Sequence, residues 1–233
     1  MEKMMYPLWR RPGDSAGAFR ECLLGPVAAG LMDAGVHHLR ISIDDDAVAP
    51  AAALRQVNSP PPMDAMLSLW VDTAVWRERF ERAFRDHVWR YVGYLVTESE
   101  PIGCAERSPV NGERVEGMCQ VVLLQKPPRL SYEDWIHIWH GSHTQVAIDT
   151  QSTFGYRQNV IARALTYAAP PYHAIIEENF PQAAMSSQHA FYDAVGDDEK
   201  LATNLKAMID SCARFIDFDK IDVIPTSEYN WRR

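Results

Sequence analysis

The sequence predicts a mixed α+β fold in which two β-α-β-β-α-β repeats of one chain pack sheet against sheet. Three observations lead there. A shift of 116 residues lays the second half on the first, setting Lys126 on Arg10, Pro128 on Pro12, Ser131 on Ser15 and Trp135 on Phe19. Segments of alternating apolar and polar residues recur in the same order in both halves, separated by text with helical spacing. Between the halves, residues 99–117 gather Pro101, Gly103, Pro109, Asn111 and Gly112 among charges, the composition of a linker.

Each half opens with an apolar strand, Met4 to Trp9 and Met118 to Gln125, that meets a basic, proline-containing turn. Ser15 or Ser131 then starts a helix with an aromatic four residues on. Ser131 with Asp134 approaches a capping box, the hydroxyl taking an orphan amide while the acid complements the helix dipole. The next two strands are His37 to Ile43 and Met66 to Val71 in the first half, Phe154 to Ile161 and His173 to Phe180 in the second. A second helix covers Ala74 to Arg85. Its counterpart, Leu201 to Ile216, keeps Leu201, Leu205, Met208, Cys212 and Phe215 at helical spacing, and shorter helical text from Met185 to Val195 precedes it. Val88 to Thr97 and Lys220 to Ile224 close the halves as strands.

This order is the ferredoxin-like split βαβ, taken twice. Residues 1–100 form an N-terminal half, 101–117 a linker and 118–233 a C-terminal half. A four-stranded sheet with both helices on one face leaves its other face uncovered. The two sheets are therefore expected to cover each other as an intrachain, pseudo-dimeric α+β barrel, with a ligand cavity between them.

Composition removes several function classes. The chain has 233 residues, 23 basic and 31 acidic, for a net charge of −8, and no basic run longer than Arg10-Arg11 or Arg232-Arg233. Nucleic acid and anionic membrane are poor partners for such a surface. No apolar run approaches the roughly 20 residues that span a bilayer. Met1 to Pro12 lacks the pattern of a secretory signal, so a cytoplasmic location is expected. Cys22, Cys104, Cys119 and Cys212 form no C-x-x-C pair and read as reduced thiols. No phosphate-binding glycine loop, G-x-S-x-G elbow or H-E-x-x-H occurs, and no cofactor is expected.

Four motifs in the second half carry a family resemblance. Lys126-Pro-Pro-Arg-Leu-Ser-Tyr-Glu-Asp-Trp135, Trp139-His-Gly-Ser-His143, Gly155-Tyr-Arg-Gln-Asn159 and Ala213-Arg-Phe-Ile-Asp217 resemble, in order and spacing, the EthD-like family of dimeric α+β barrel proteins. The resemblance covers nearly all of residues 118 to 230. It implies half-barrels that pair, usually as homodimers, a pairing that a tandem chain makes within itself. Relatives include accessory proteins of ether degradation and polyketide-pathway decarboxylases or dehydratases; the wider superfamily includes cofactor-free monooxygenases and lactone isomerases. It also implies catalysis by a His with polar neighbours beside an apolar pocket, and places that His at His143. The first half departs from the pattern: Val27 stands for His143 and Leu23 for Trp139, which makes it a structural partner. There Ser68 stands for the strand glutamate, and Trp70 shapes the wall of the cavity.

On a helix after Ser131, residues Trp135, Trp139, His143 and Val146 share one face, which puts His143 at the rim of the barrel. An imidazole there can serve as general acid or base. His137, His140 and His143 spell H-x-x-H-x-x-H, but at about 100° per residue the outer two point some 120° apart, so no metal site is expected. Asp44-Asp45-Asp46 reads as a solvated acidic turn. Glu177 and Glu178 are strand neighbours and must face opposite sides of the sheet. The resemblance favours Glu177 on the cavity side, together with Asn179. Tyr156 and Asn159 have opposite parity and are alternatives for holding a ligand oxygen, while Trp139 and Trp70 line an aromatic site. The expected function is a cofactor-independent acid/base enzyme, a decarboxylase, dehydratase or isomerase, with His143 and Glu177 catalytic. Its substrate would be a small apolar, aromatic or polyketide-like compound. The alternative is an accessory protein that binds such a molecule unchanged. A homodimer of the tandem unit is left open.

Overall fold

In the computed structural model, which describes residues 1–233, eight antiparallel strands close into a barrel. The strands are β1 (Glu2–Trp9), β2 (His38–Ile43), β3 (Ala65–Val71), β4 (Arg90–Tyr91), β5 (Tyr94–Ile102), β6 (Asn111–Arg114), β7 (Met118–Leu124), β8 (Gly155–Ala164), β9 (Ala174–Phe180) and β10 (Ile221–Arg232). Around the barrel the order is β2-β3-β1-β5-β8-β9-β7-β10, and β10 pairs back onto β2. Short β4 extends the pairing of β1, and β6 pairs with β10. Residues 1–100 and 118–233 thus each give four long strands in the same spatial order, second-third-first-fourth.

Two seams close the ring. Along β10, Ile221–Thr226 pair with β7 and Ser227–Arg232 pair with β2. The last strand, expected to stop at Ile224, therefore continues to Arg232, because its second portion satisfies the edge of β2 that would otherwise expose backbone groups. At the opposite seam β5 pairs with β1 through Val96, Leu95 and Tyr94 and with β8 over its whole length.

Helices lie outside the barrel. They are α1 (Ala16–Cys22), α2 (Ala28–Asp33), α3 (Glu78–Glu81), α4 (Tyr132–Ile138), α5 (Thr144–Thr150), α6 (Gln188–Phe191) and α7 (Asp198–Ala213). Ser15 Oγ accepts from the Ala18 amide at 3.1 Å and Ser131 Oγ from that of Asp134 at 3.0 Å, the caps the sequence implied. A five-residue π-helical segment joins α1 to α2 at Leu23–Val27, and another joins α4 to α5 at Trp139–His143. The two segments sit at the spacing of the sequence shift. The helix expected over Ala74–Arg85 shrinks to α3: Phe80 and Phe84 are fully buried while Val75 and Trp76 are exposed, so one turn is enough to deliver the apolar anchors. Helical text around Met185 likewise resolves into a 3-10 turn, Gln182–Met185, followed by α6.

The space between the sheets, expected to hold the ligand, is filled. One end contains Met5, Met66, Tyr94, Val121, Leu123 and Ile175 in close packing. The other end contains Lys3, Arg40, Arg157, Glu177 and Glu228, all buried and mutually paired. Outside the barrel, the N-terminal layer of Phe19, Leu23, Val27, Leu31, Phe80 and Phe84 closes completely on the sheet. The C-terminal layer does not, and that difference creates the cavity.

Candidate functional site

A cavity of about 530 Å³ lies between the outer face of the C-terminal sheet and its helices. Its floor comes from β7 through Gln120, Val122 and Leu124, from β8 through Tyr156, and from β9 through Ile176 and Glu178. Trp139 and His143 of the π segment, with Met208, Cys212 and Phe215 on and just after α7, form the roof. Across the mouth lie Pro50, Ala53 and Leu54, from the β2–β3 connection of the first half. That 3-10 turn is held there by Val48 and Ala51 packing on Ala184, Met185 and Phe191.

Strand alternation decides what enters this space. Tyr156 pairs with Glu178 across β8 and β9, and both line the cavity. Arg157 pairs with Glu177 one residue along, and both point into the barrel. Glu177 is therefore not on the cavity side. It accepts from Lys3 Nζ at 2.9 Å, Arg40 Nη1 at 3.2 Å and Asn159 Nδ2 at 3.1 Å. Burial opposes its ionisation, but Lys3, Arg40 and Arg157 outweigh burial and hold it well below the usual carboxylate range. Asn159 also faces the barrel, where its Oδ1 accepts from Lys3 Nζ at 2.7 Å. Asn179 bridges Arg157 and Glu228 there, at 2.6 and 3.0 Å. Trp70 stacks on His38 at 4.2 Å and donates to Glu98 at 3.0 Å, at the polar end of the barrel. Of the residues singled out from sequence, the fold brings together His143, Trp139 and Tyr156.

His143 is 6% exposed, and its Nδ1 lies 2.9 Å from Ser211 Oγ of α7. That contact leaves Nε2 as the nitrogen available to the cavity. Burial, helped by nearby Arg214, pulls its pKa down to about 4, so the ring is neutral near neutral pH. The Tyr156 oxygen accepts from Trp139 Nε1 at 3.2 Å and Gln158 Nε2 at 3.0 Å. With two donors on the oxygen, the phenol proton remains to be donated. Burial, reinforced by Glu178, raises the Tyr156 pKa, and the group stays a phenol. Glu178 has no cationic partner, and burial pushes its carboxyl up to about 7. The Cys212 thiol, raised by burial and by Glu178 to about 12, is no nucleophile.

Sequence reasoning favoured Glu177 over Glu178, and it missed Ser211 and Gln151, whose Oε1 is buried without a partner. Ser211 carried a signal: Met208, Ser211 and Phe215 stand three and four residues apart on a buried stripe that runs along α7 and just past its end. Glu178 carried none that decides, because Ile175 and Ile176 support either parity equally. At the end of the π segment the Trp139 carbonyl accepts from the Thr144 amide and from its Oγ1, the latter at 2.9 Å. Such segments are frequent at functional sites because they re-aim a side chain. The matching segment of the first half carries Val27 and lies in the closed layer.

Residues 127–219 match the EthD domain family, over the stretch that holds the four motifs resembling it. Two solved structures are similar over almost the whole chain. One is an anthrone oxidase-like protein, 8% identical, with a TM-score of 0.54 over 98% of this chain and 90% of that one. The other is a candidate monooxygenase from Lactobacillus acidophilus NCFM, 8% identical, with a TM-score of 0.51 over 97% of this chain and 93% of that one. At such identity the likeness is one of fold, the dimeric α+β barrel architecture. No curated protein matches the chain. No helix is long and apolar enough to cross a membrane.

Proposed function

We propose that this EthD-domain chain is an acid/base enzyme that needs no cofactor and acts on a small, largely apolar, aromatic or polyketide-like molecule held under the C-terminal helices. One observation carries the reading: an otherwise apolar cavity into which His143, Tyr156 and Glu178 converge. Apolar pockets with a few convergent polar groups and a displaced carboxyl pKa are the usual form of small-molecule sites.

The chemistry follows from the protonation states. Glu178 is poised to exchange a proton near neutrality, where acid/base catalysis is most effective. Neutral His143, oriented by Ser211, offers Nε2 as a second proton donor or acceptor. Tyr156 donates to a substrate carbonyl or phenol oxygen, and the Trp139 and Gln158 N–H groups stabilise charge that builds on the phenol oxygen. Dehydration, isomerisation and decarboxylation each develop charge beside a carbonyl, the kind of charge that these groups are placed to stabilise. Glu178 replaces Glu177 as the catalytic carboxyl in this reading, and Asn159, Asn179 and Trp70 take no part.

Residues 1–100 and 118–233 are read as a degenerate tandem pair joined by 101–117, supported by the shared strand order and the two π segments. The first half then serves as barrel partner and supplies the cap at Pro50–Leu54. A cytoplasmic location suits the four free cysteines. The second reading, a carrier that returns its ligand unchanged, rests on the same cavity.

A thermal-shift screen of aromatic aldehydes, phenols, quinones and anthrone-like polyketides, with product analysis of each hit, separates the two. A ligand at 100 times its Kd stabilises by about 2.7 kcal/mol, well within detection. Conversion by wild type, with a loss of about 10²- to 10⁴-fold in His143→Gln and Glu178→Gln, supports the enzyme. Binding by all three proteins without conversion supports the carrier. Turnover in both variants at the wild-type rate overturns the mechanism.

A further inference from the structure

The cavity wall contains no lysine or arginine. Its acidic and basic groups are Glu178 and His143, with Tyr156, Tyr192 and Cys212 as weak acids. The buried cations of the barrel, Lys3, Arg40 and Arg157, are turned away from the cavity by strand parity. Arg157, between Tyr156 and Gln158 on β8, is fully buried in the barrel against Glu228 at 2.6 Å. Lys3 and Arg40 lie there too, paired with Glu177. From the helix side, Arg214 stays on the exposed surface with its Nη1 on Ser142 Oγ at 3.1 Å.

We propose that the cavity selects electrically neutral ligands and turns away carboxylates of the same shape. The inference rests on the cavity being the ligand site. Inside the barrel this protein solves the buried-anion problem by giving Glu177 and Glu228 ammonium or guanidinium partners. Nothing equivalent faces the cavity. An anionic ligand would lose its hydration without a cation to replace it, and would lie against a carboxyl already short of solvation. The polar groups on offer suit an uncharged molecule: the Tyr156 hydroxyl donates, and the unpartnered Oε1 of Gln151 accepts from a hydroxyl or N–H. Dehydration or isomerisation of a neutral hydroxylated carbonyl compound fits such a wall, and decarboxylation of a bound carboxylate does not.

The test uses methyl 1-naphthoate and 1-naphthoate, which share a skeleton and differ in charge, titrated calorimetrically into the full chain near pH 7.5. The ester is expected to bind about tenfold tighter or more, because the anion must shed hydration or take up a proton. Its affinity should not change with pH, whereas that of the naphthoate should rise about tenfold per unit of acidification. Glu178→Gln should narrow the gap, and Gln151→Arg should reverse it. Equal binding of both compounds to wild type, abolished for both by the cavity-filling Val122→Trp, overturns the charge selection and leaves the ligand site standing. Failure of wild type to bind either compound, or binding that survives Val122→Trp, overturns the ligand site and the selection with it.

Discussion

Tyr156 and Glu178 stand directly opposite each other on β8 and β9 with both side chains in the cavity, while the pair one step along, Arg157 and Glu177, stands opposite on the barrel side. Two adjacent glutamates thereby acquire contrasting chemistry. Glu177 is a permanently ionised member of a buried network, and Glu178 is a lone carboxyl that titrates near neutrality.

Exchanging the two carboxyls separately should expose this contrast. Glu177→Gln leaves Lys3 and Arg40 short of a buried counter-charge, and is expected to cost about 3–5 kcal/mol in urea unfolding. Glu178→Gln removes an unpaired acid and should leave stability unchanged or raised near pH 8. Equal losses in the two variants would contradict the opposite facing of the side chains.

Stability should depend on pH through Glu178 and His143 in opposite senses. Folding raises the Glu178 pKa to about 7, so between the unfolded value near 4.5 and that point the native state holds the extra proton. Wild type should therefore lose stability relative to Glu178→Gln as pH rises through this window, by an amount on the order of 2–3 kcal/mol. Folding lowers the His143 pKa from 6.5 to about 4, so the unfolded state binds the extra proton there. Wild type should lose stability relative to His143→Gln as pH falls from 6.5 toward 4. Urea titrations of the three proteins across pH 4–8 provide the measurement.

Val122→Trp adds bulk where the structure has empty space, unlike a substitution in a filled core. Its melting temperature is expected within a few degrees of wild type, about 1 kcal/mol in either direction. A steep fall in melting temperature would mean that the helices close over this space in solution.

Ser211→Ala frees Nδ1 of His143 and should cost about 1 kcal/mol. The imidazole ¹⁵N shifts of His143 should change with it, and Ser211→Thr should restore both. Unchanged shifts would show that Ser211 does not set the ring tautomer.

Much of the architecture was legible in the sequence because it rests on local periodicity. The 116-residue shift, the Ser15 and Ser131 caps and the apolar stripe of α7 follow from spacing along one chain segment. The extension of β10 to Arg232 and the reduction of the helix at Ala74–Arg85 to α3 were not legible, because a partner strand and a burial site set those lengths. His143, Trp139 and Tyr156 could be found because they lie within short motifs of the EthD domain. The sequence by itself determined the order of elements and that one acid of the pair Glu177-Glu178 would face each side of the sheet. Tertiary structure alone decided which one. Closing the barrel buried Lys3, Arg40 and Arg157 together and filled the space between the sheets, and the opposite face was left open where the C-terminal helices do not close upon it. Those are contacts between residues more than a hundred positions apart, and they follow from strand register rather than from any local pattern.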